Sequence, residues 1–332
     1  MKKVIVICAV LSIIFTGCRT STAGYNYEAA KVQYKQKNYK KALEYVDAAL
    51  KAGEKAEYYI LQGDIFHKQK DYEKAVQAFD KAISNKSDTR TLENNKQAYK
   101  KKAVSYIEVD KYEDAYQSIE KALKIEALKD MTKELLLYKM DVLIFTKQYK
   151  KTVECAEEFI EKYKNKLDVA MANTRIGRAY SKASNYDKAL TYYEKAIKGK
   201  DTTAYYYKAE NYELMGEYEK AYDEYEKFLK YSKAEVKYAI YAKQMDCLFK
   251  LVEKTAEPDV FSKLETTLNA AMSSKDEDNI KLFGKKYIAL LEREREYEEA
   301  YVYAKEYLAE YPDDEAVKKE VAFLETRIVP AQ

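Results

Sequence analysis

One short pattern returns along the whole chain: a tyrosine that follows Asn, Asp, Lys, Gln or Glu. It occurs at Tyr39, Tyr72, Tyr112, Tyr149, Tyr186, Tyr218 and Tyr297. Successive tyrosines lie roughly 32 to 40 residues apart, and the last two are separated by about two such intervals. A period of this size predicts an array of small structural units, each of which buries its apolar face against its neighbours.

Small residues keep a fixed distance from these tyrosines. Three residues after the tyrosine the chain has Ala42, Ala75, Ala115, Ala189, Ala221 and Ala300, with Thr152 as the one variant. Nine residues before it Ala or Gly predominates, with Met140 and Ile288 as exceptions. These offsets place the small residues on single helical faces, which predicts two amphipathic helices per unit packed closely together. With only 8 Gly and 3 Pro among 332 residues, an all-α fold is expected.

This order of small, aromatic and alanine positions resembles the tetratricopeptide repeats. The resemblance is clearest in "YYILQGDIFHKQKDYEKAVQAFDKAI" and "TRIGRAYSKASNYDKALTYYEKAI" and covers about residues 23–314. It implies a right-handed superhelical solenoid of about eight helix-turn-helix repeats over residues 25–314, with a degenerate repeat near 234–274. Residues 315–332 are expected to form a capping helix and tail. The proline that ends a unit in this family occurs here only at Pro312.

The first residues have the features of an export signal. Lys2 and Lys3 precede the uncharged run "VIVICAVLSIIF", which is too short to span a bilayer and suits a secretory signal over residues 1–17. The "FTGC" that follows resembles the lipobox of bacterial lipoproteins, although Phe15 stands where Leu is usual. That resemblance implies cleavage before Cys18 and acylation of Cys18, with palmitate among the chains. Residues 18–24 would then be a short tether.

Two alternatives concern the address of the chain. An ordinary secretory signal cut near "TSTAG" would leave a soluble periplasmic or extracellular protein. If the chain is lipidated, Arg19 after the cysteine favours the outer membrane over the inner one by the sorting rule of enterobacterial lipoproteins. We therefore expect a lipid-anchored protein of the bacterial cell envelope that faces the periplasm.

The sequence offers little material for catalysis, metal binding or nucleotide binding. His67 is the only histidine, and no phosphate-binding glycine motif is present. The acidic run "KDEDN" at 275–279 lacks the glycine and the final glutamate of a calcium loop. The net charge of +3 and the interleaved signs argue against nucleic acid as a partner. We expect no cofactor and no metal, and Cys155 and Cys247 are predicted to be separate buried thiols.

In tetratricopeptide repeats the first helix of each pair lines a concave groove that binds a peptide or a partner's helix. The resemblance therefore assigns partner binding to positions on three first helices, namely Leu137, Tyr138, Asp141, Ile144, Phe145, Arg175, Arg178, Tyr206, Tyr207 and Glu210. Lys182, which follows Arg175 and Arg178 in the sequence, is assigned to the groove with them. The alternative is that these side chains pack between repeats or are merely solvated.

The function expected from these features is that of a non-enzymatic scaffold that binds a partner protein or peptide. A lipoprotein that binds glycans or another small ligand is the alternative suggested by the tyrosine cluster "AYYYKAE" at 204–210. The chain lacks Trp, which glycan-stacking platforms commonly use. An enzyme such as a helical lytic transglycosylase would need a separate catalytic domain, for which the repeats leave no chain.

Overall fold

The computed structural model of the protein describes residues 21–232, 237–254, 258–272 and 277–328. Within these ranges all regular structure is helical, with no strand, so the predicted all-α class is confirmed. The helices are α1 (Thr22–Lys35), α2 (Tyr39–Ala52), α3 (Ala56–Lys68), α4 (Tyr72–Ala82), α5 (Thr89–Ile107), α6 (Tyr112–Leu123), α7 (Lys129–Phe145), α8 (Tyr149–Lys162), α9 (Lys166–Lys182), α10 (Tyr186–Lys198), α11 (Thr203–Met215), α12 (Tyr218–Tyr231), α13 (Lys237–Val252), α14 (Pro258–Met272), α15 (Glu277–Arg293), α16 (Tyr297–Glu310) and α17 (Glu315–Ile328).

Helices α1 to α16 form eight successive pairs, and α17 follows the last pair. Each of the seven repeat tyrosines is the first residue of the second helix in its pair. The degenerate repeat, which has no such tyrosine, still supplies a pair of helices, α13 and α14. The first helix begins at Thr22, where the Ser21 hydroxyl accepts a hydrogen bond from the Gly24 N–H at 3.2 Å. Its first turn thus includes residues assigned above to the tether, and Cys18 lies outside the described residues.

The turn has one backbone conformation in the seven pairs that contain a repeat tyrosine. Two residues before the tyrosine the chain enters the left-handed region, with φ between 57° and 75°, and only one of these residues is a glycine. The next N–H then reaches back to a carbonyl of the last helical turn, as Asp71 does to Phe66 at 2.9 Å and Asn185 does to Tyr180 at 2.9 Å. This is the Schellman arrangement, which satisfies carbonyls that the end of a helix leaves open.

Packing inside each pair depends on matched sizes at two positions, nine residues before and seven residues after the tyrosine. A Cβ added to Gly63 would lie 2.4 Å from the Phe79 ring, and one added to Gly177 would lie 2.6 Å from the Tyr193 ring. Where the first position is alanine, its partner varies, and where it is large, its partner is small. The remaining combinations are Ala30 with Val46, Ala103 with Ile119, Met140 with Ala156, Ala209 with Tyr225 and Ile288 with Ala304.

The alanines three residues after the tyrosine are all 0% exposed, as is Thr152. A larger side chain there would have to displace the opposing helix, because protein interiors have few voids to absorb it. This burial explains why the sequence restricts the position so strictly. Cys247 is 1% exposed, whereas Cys155 is only partly buried.

The chain divides into two compact units at residues 159 and 160, within α8. In the first unit, apolar clusters form around Val46, Phe79 and Ile119. In the second unit a large cluster surrounds Tyr225, and a further cluster joins α15 and α16 to α17. No helix among the described residues is both long and apolar enough to cross a membrane.

We expect Gly63→Ala to lower the free energy of unfolding, although this substitution in a helix ordinarily raises it by about 0.5 to 1 kcal/mol. The new methyl group would overlap the Phe79 ring, and overpacking of this kind costs about 1 to 3 kcal/mol. Adding Phe79→Ile to Gly63→Ala should recover part of the lost free energy of unfolding. The double variant has alanine against isoleucine, as Ala103 and Ile119 do in another pair. Urea unfolding of both variants measures the effect.

Gly53→Ala is the matched control for Gly63→Ala. Gly53 has an extended φ of 167°, and an added Cβ would come no closer than 3.9 Å to Ala23. This change should leave the unfolding midpoint nearly unaltered. Equal midpoints for the wild-type protein and Gly63→Ala would contradict the packing argument.

Candidate partner-binding groove

The first helices of successive pairs lie side by side. In the first unit α1 contacts α3 and α3 contacts α5, and in the second unit α9 contacts α11 and α13 contacts α15. Each unit therefore has a face built from first helices, which is where the sequence predicts partner binding.

Side chains from neighbouring first helices meet at one repeated register. A residue eight positions before the tyrosine of one pair meets a residue eleven positions before the tyrosine of the next pair. In the first unit these residues are Asp64 on α3 and Lys101 on α5, with the Lys101 Nζ 2.7 and 2.9 Å from the two Asp64 carboxylate oxygens. At the next step Val104 on α5 and Tyr138 on α7 line one cavity.

The second unit uses the same register with other chemistry, and in the degenerate repeat, which has no tyrosine, position 254 takes the place of the tyrosine in the count. The Arg178 guanidinium on α9 lies 4.4 Å from the centre of the Tyr207 ring on α11, which is a cation–π contact. The Lys243 ammonium on α13 lies 3.2 Å from Glu213 and 4.0 Å from Glu210, both on α11.

At the last of these positions Lys286 on α15 pairs with Asp246 on α13. We call these cross-helix contacts rungs. All three rungs of the second unit thus hold at least one charged group that is already engaged within the protein.

A cavity of about 260 Å³ opens on the first-helix face of the first unit. Its walls combine rings and aliphatic groups with charged residues at the edge. They are Tyr34, Asp64, His67, Lys68, Phe79, Lys100, Lys101, Val104, Glu134 and Tyr138. The Lys101–Asp64 rung forms part of this edge, and Lys100 pairs with Glu134 on α7. The two ion pairs neutralise four of the charged groups around the opening.

Two titratable rings in this cavity are uncharged at neutral pH. Burial, followed by the charge of Asp64, raises the pKa of Tyr34 to about 12. Burial also lowers the pKa of His67 from its ordinary value, an effect larger than the opposing pull of Glu108. The His67 Nδ1 lies 3.0 Å from the Ser105 hydroxyl, and its ring packs edge-on against Tyr72 at 5.2 Å. These two rings therefore add no charge to the cavity.

The structure corrects two of the predicted binding positions on α7. Leu137 is 6% exposed and Ile144 is 4% exposed, so both lie in the core and offer a partner almost no surface. The family resemblance placed them on the groove side, but a first helix also buries residues against its neighbours, and these two positions fall on that part of its circumference. For them the alternative of packing between repeats fits the structure.

The other predicted positions on α7 retain accessible surface. Tyr138 is half-buried in the cavity wall, with its hydroxyl 3.2 Å from Glu134. Phe145 is 44% exposed at the end of α7, and its ring stacks on Tyr112 with centres 4.7 Å apart. Asp141 is half-buried and occupies the rung position of its repeat.

The predicted positions in the second unit form a compact aromatic and ionic cluster. The Tyr206 hydroxyl donates to Glu210 at 2.9 Å, and burial together with that carboxylate raises the pKa of Tyr206. The Tyr206 ring contacts Tyr207, Tyr225 and Phe228.

Two further basic residues of this stretch lie on α9. Arg175 donates to the Met171 carbonyl on the same helix at 3.1 Å. Lys182 is exposed at the end of the helix. Of the predicted positions in the second unit, the structure thus brings Arg178 and Tyr207 together across a rung, and Tyr206 and Glu210 together along α11.

Part of this network was not predicted from the sequence. The Glu213 carboxylate accepts hydrogen bonds from the Tyr225 hydroxyl at 3.0 Å and from the Cys247 thiol at 3.5 Å. Burial first, and Glu213 next, raise the pKa of Cys247, so this thiol stays protonated and unreactive. The cavity beside Asp64 and Lys101 was not predicted either. Applying the rung register to the second and third repeats would have indicated it.

Across the described ranges, no three residues among His, Cys, Asp and Glu lie close enough together to hold a metal ion. The arrangement instead offers a surface with rings, aliphatic groups and paired charges. These groups can contact an extended chain through apolar side chains and hydrogen bonds.

The tetratricopeptide-repeat family model matches residues 27–88 and 174–234, so repeats of this family occur in both units. Proteins built from such repeats generally mediate protein–protein interactions. No curated protein matches the chain.

Several solved structures are similar to this chain in fold. One is a tetratricopeptide repeat protein from Parabacteroides merdae, with a TM-score of 0.61, 17% identity, and coverage of 80% of this chain and 98% of its own. A second is the C-terminal part of a repeat protein from Cytophaga hutchinsonii, with a TM-score of 0.48, 20% identity, and coverage of 77% and 97%. YrrB, described as having an unusual peptide-binding site, has a TM-score of 0.44, 17% identity, and coverage of 59% and 95%. At these identities the likeness concerns the fold alone.

We expect a double-mutant cycle on Asp64→Asn and Lys101→Met to give a coupling energy of about 0.5 to 1 kcal/mol. The two side chains are only 22% and 34% exposed, so water screens their attraction less than at an open surface. Urea unfolding of the two single variants and the double variant provides the measurement.

The control cycle uses Glu28 and Lys31, an ion pair on α1 whose side chains are 58% and 40% exposed. That pair should couple by only about 0.2 to 0.5 kcal/mol and lose its coupling in high salt. A rung coupling no larger than the control would show that the rung does not tie the two repeats together.

Proposed function

Because the chain carries tetratricopeptide repeats in both of its units, we propose that it is a non-enzymatic, lipid-anchored scaffold of the bacterial cell envelope. In this proposal it binds an extended segment of a partner protein on its first-helix faces. Acyl chains on Cys18 would hold it at the membrane, with the repeats on the periplasmic side of the outer membrane.

The observation that best supports a protein segment as ligand is the cavity between α3, α5 and α7. Rings and the aliphatic Val104 form much of its wall, while the ion pairs at its edge satisfy one another. A charged ligand group could bind these four residues only by displacing an existing partner, and leaving a partly buried charge without its partner is costly. Lys68, the remaining charged residue of the lining, is exposed, so solvent screens its attraction for a charged group. An uncharged aromatic or aliphatic side chain can enter without that cost, and the main chain of the same segment can bond to the rung residues.

The cavity volume also favours a single side chain over a whole small ligand. At about 260 Å³ it is smaller than the roughly 300 to 1,000 Å³ typical of small-molecule sites. The glycan-binding alternative loses support from the second unit as well. Tyr206, the centre of the tyrosine cluster, contacts three other rings, and its hydroxyl is bonded to Glu210. Its ring is therefore not a free platform for stacking a sugar.

The lipid anchor rests on the sequence of residues 1–18, namely the two lysines, the apolar run and the "FTGC" that resembles a lipobox, within which cleavage would occur before Cys18. Two or more acyl chains would give stable attachment, since each buried methylene contributes about 0.8 kcal/mol. The tether between Cys18 and α1 is short. The repeats would thus begin within a few residues of the membrane surface.

We expect Cys18→Ala to move the protein from the membrane fraction to the soluble fraction and to abolish labelling with an alkyne fatty acid. Loss of the acylated thiol removes the chains that would anchor it. Fractionation and labelling in a bacterial host measure both effects. The matched control is Cys8→Ala, which removes a cysteine from the apolar run. It should change neither the fractionation nor the labelling. A Cys18→Ala variant that stays on membranes would contradict lipidation.

We expect a partner protein to be captured by crosslinking in intact cell envelopes and to be lost when the cavity is filled. Val104→Trp would occupy the space between Tyr34 and Tyr138 and so block insertion of a side chain. Val109→Trp is the control, because Val109 is 41% exposed in the turn after α5 and lies outside the cavity wall. Mass spectrometry of the crosslinked complexes compares the three proteins. No capture by the wild-type protein, or equal capture by Val104→Trp, would count against groove binding.

A further inference from the structure

The last helix, α17, is held against the final repeat by an apolar seam. Val317, Val321 and Leu324 of α17 share a cluster with Ile288 and Leu291 of α15 and with residues of α16. Burying these side chains covers the apolar face that the final pair would otherwise expose. Whether α17 stays docked therefore decides whether the second unit ends in a polar or an apolar surface.

Two polar contacts fix α17 near its two ends. At its start the Asp314 carboxylate lies 2.6 Å from Lys285 and accepts from the Tyr307 hydroxyl at 3.1 Å. Lys285, the first of several causes, lowers the pKa of Asp314, so this carboxylate stays ionised. Towards its end the Tyr301 hydroxyl donates to Glu325 at 2.9 Å.

The contact between these two points is of a different kind. Glu292 of α15 faces Glu320 of α17 across a small cavity of about 100 Å³, whose other walls include Ile288, Ala289 and Val317. Among the described residues no donor reaches the buried Glu292 Oε1. Two carboxylates at hydrogen-bonding distance attract one another only when they share a proton, and they repel when both are ionised.

The surrounding groups do not neutralise this pair. The cavity contains one other titratable side chain, Lys285, which is engaged with Asp314. Helix α16 contributes the tyrosines 303 and 307, and burial is the main cause that raises the pKa of each, so both are uncharged. Helix α13, which also contacts α15, contributes Asp246, which is paired with Lys286.

We propose that Glu292 and Glu320 form a proton-dependent latch, which ties α17 to α15 when they share a proton and loosens α17 when both are ionised. The latch acts on the edge of the second unit and does not depend on the proposed anchor or partner. Burial first, and the hydrogen bond and charge of Glu320 next, raise the pKa of Glu292 to about 7. Because the docked state holds the proton more tightly, docking is strongest well below that pH and weakens as the pH rises through it.

Hydrogen exchange of the amides in α17, read by mass spectrometry on the full chain, tests the latch. Labelling times at pH 5.5, 7.0 and 8.5 are scaled to compensate for the change of the intrinsic exchange rate with pH. In the wild-type protein we expect the protection of residues 315–328 to fall about tenfold from pH 5.5 to 8.5. Protection of α9 and α10 should stay constant over the same range.

Glu292→Gln should remove the pH dependence and keep α17 protected, because the amide can donate to the Glu320 carboxylate at every pH. Glu320→Gln should have the same effect, with the new amide at position 320 donating to the Glu292 carboxylate. Agreement of the two variants would show that the effect is not a defect of one of them. Glu298→Gln, an exposed change on α16, is the control and should behave like the wild-type protein. Equal protection of wild-type α17 at all three pH values, or an unchanged pH dependence in both latch variants, would overturn the proposal.

Discussion

The close approach of the two helices in each pair is the constraint on which the rest of this structure depends. It is achieved by a reciprocal choice of sizes, with Gly63 against Phe79 at one extreme and Ile288 with Ala304 at the other. Because interiors are packed without spare volume, the sum of the two sizes is restricted more tightly than either residue alone. Each pair can therefore differ in sequence while its two helices stay closely packed.

The close packing within each pair has a consequence for the side of the first helices that faces the next repeat. If every pair has the same geometry, the same two register positions meet wherever one repeat follows another. The chain places an ion pair there in Asp64 and Lys101, and a cation–π contact in Arg178 and Tyr207. The chemistry of the first-helix faces can thus change from repeat to repeat without disturbing the scaffold. This separation lets one fold serve partners of different chemistry.

Local sequence predicted the helices well, because each boundary has a local cause. The turn before each repeat tyrosine is closed by a Schellman bond, and the alanine that follows is fully buried. Accessibility was harder to predict. Leu137 and Ile144 have the spacing of groove residues but are buried, since a first helix shares its circumference between the groove and its neighbours. The Glu213 network combines α11, α12 and α13, so no single helix reveals it.

Under the proposed function, the compensated charges on the first-helix faces determine how these faces discriminate between partners. Lys100, Lys101 and Lys243 each contact a carboxylate on a neighbouring first helix, so their charges are largely neutralised within the protein. Long-range attraction to a charged partner is then weak, and recognition depends on which uncharged side chains fit between the rungs. Affinity of this kind responds little to salt, because it comes from apolar contact and main-chain hydrogen bonds. The balance of charge seen in the whole sequence thus reappears at the scale of a single rung.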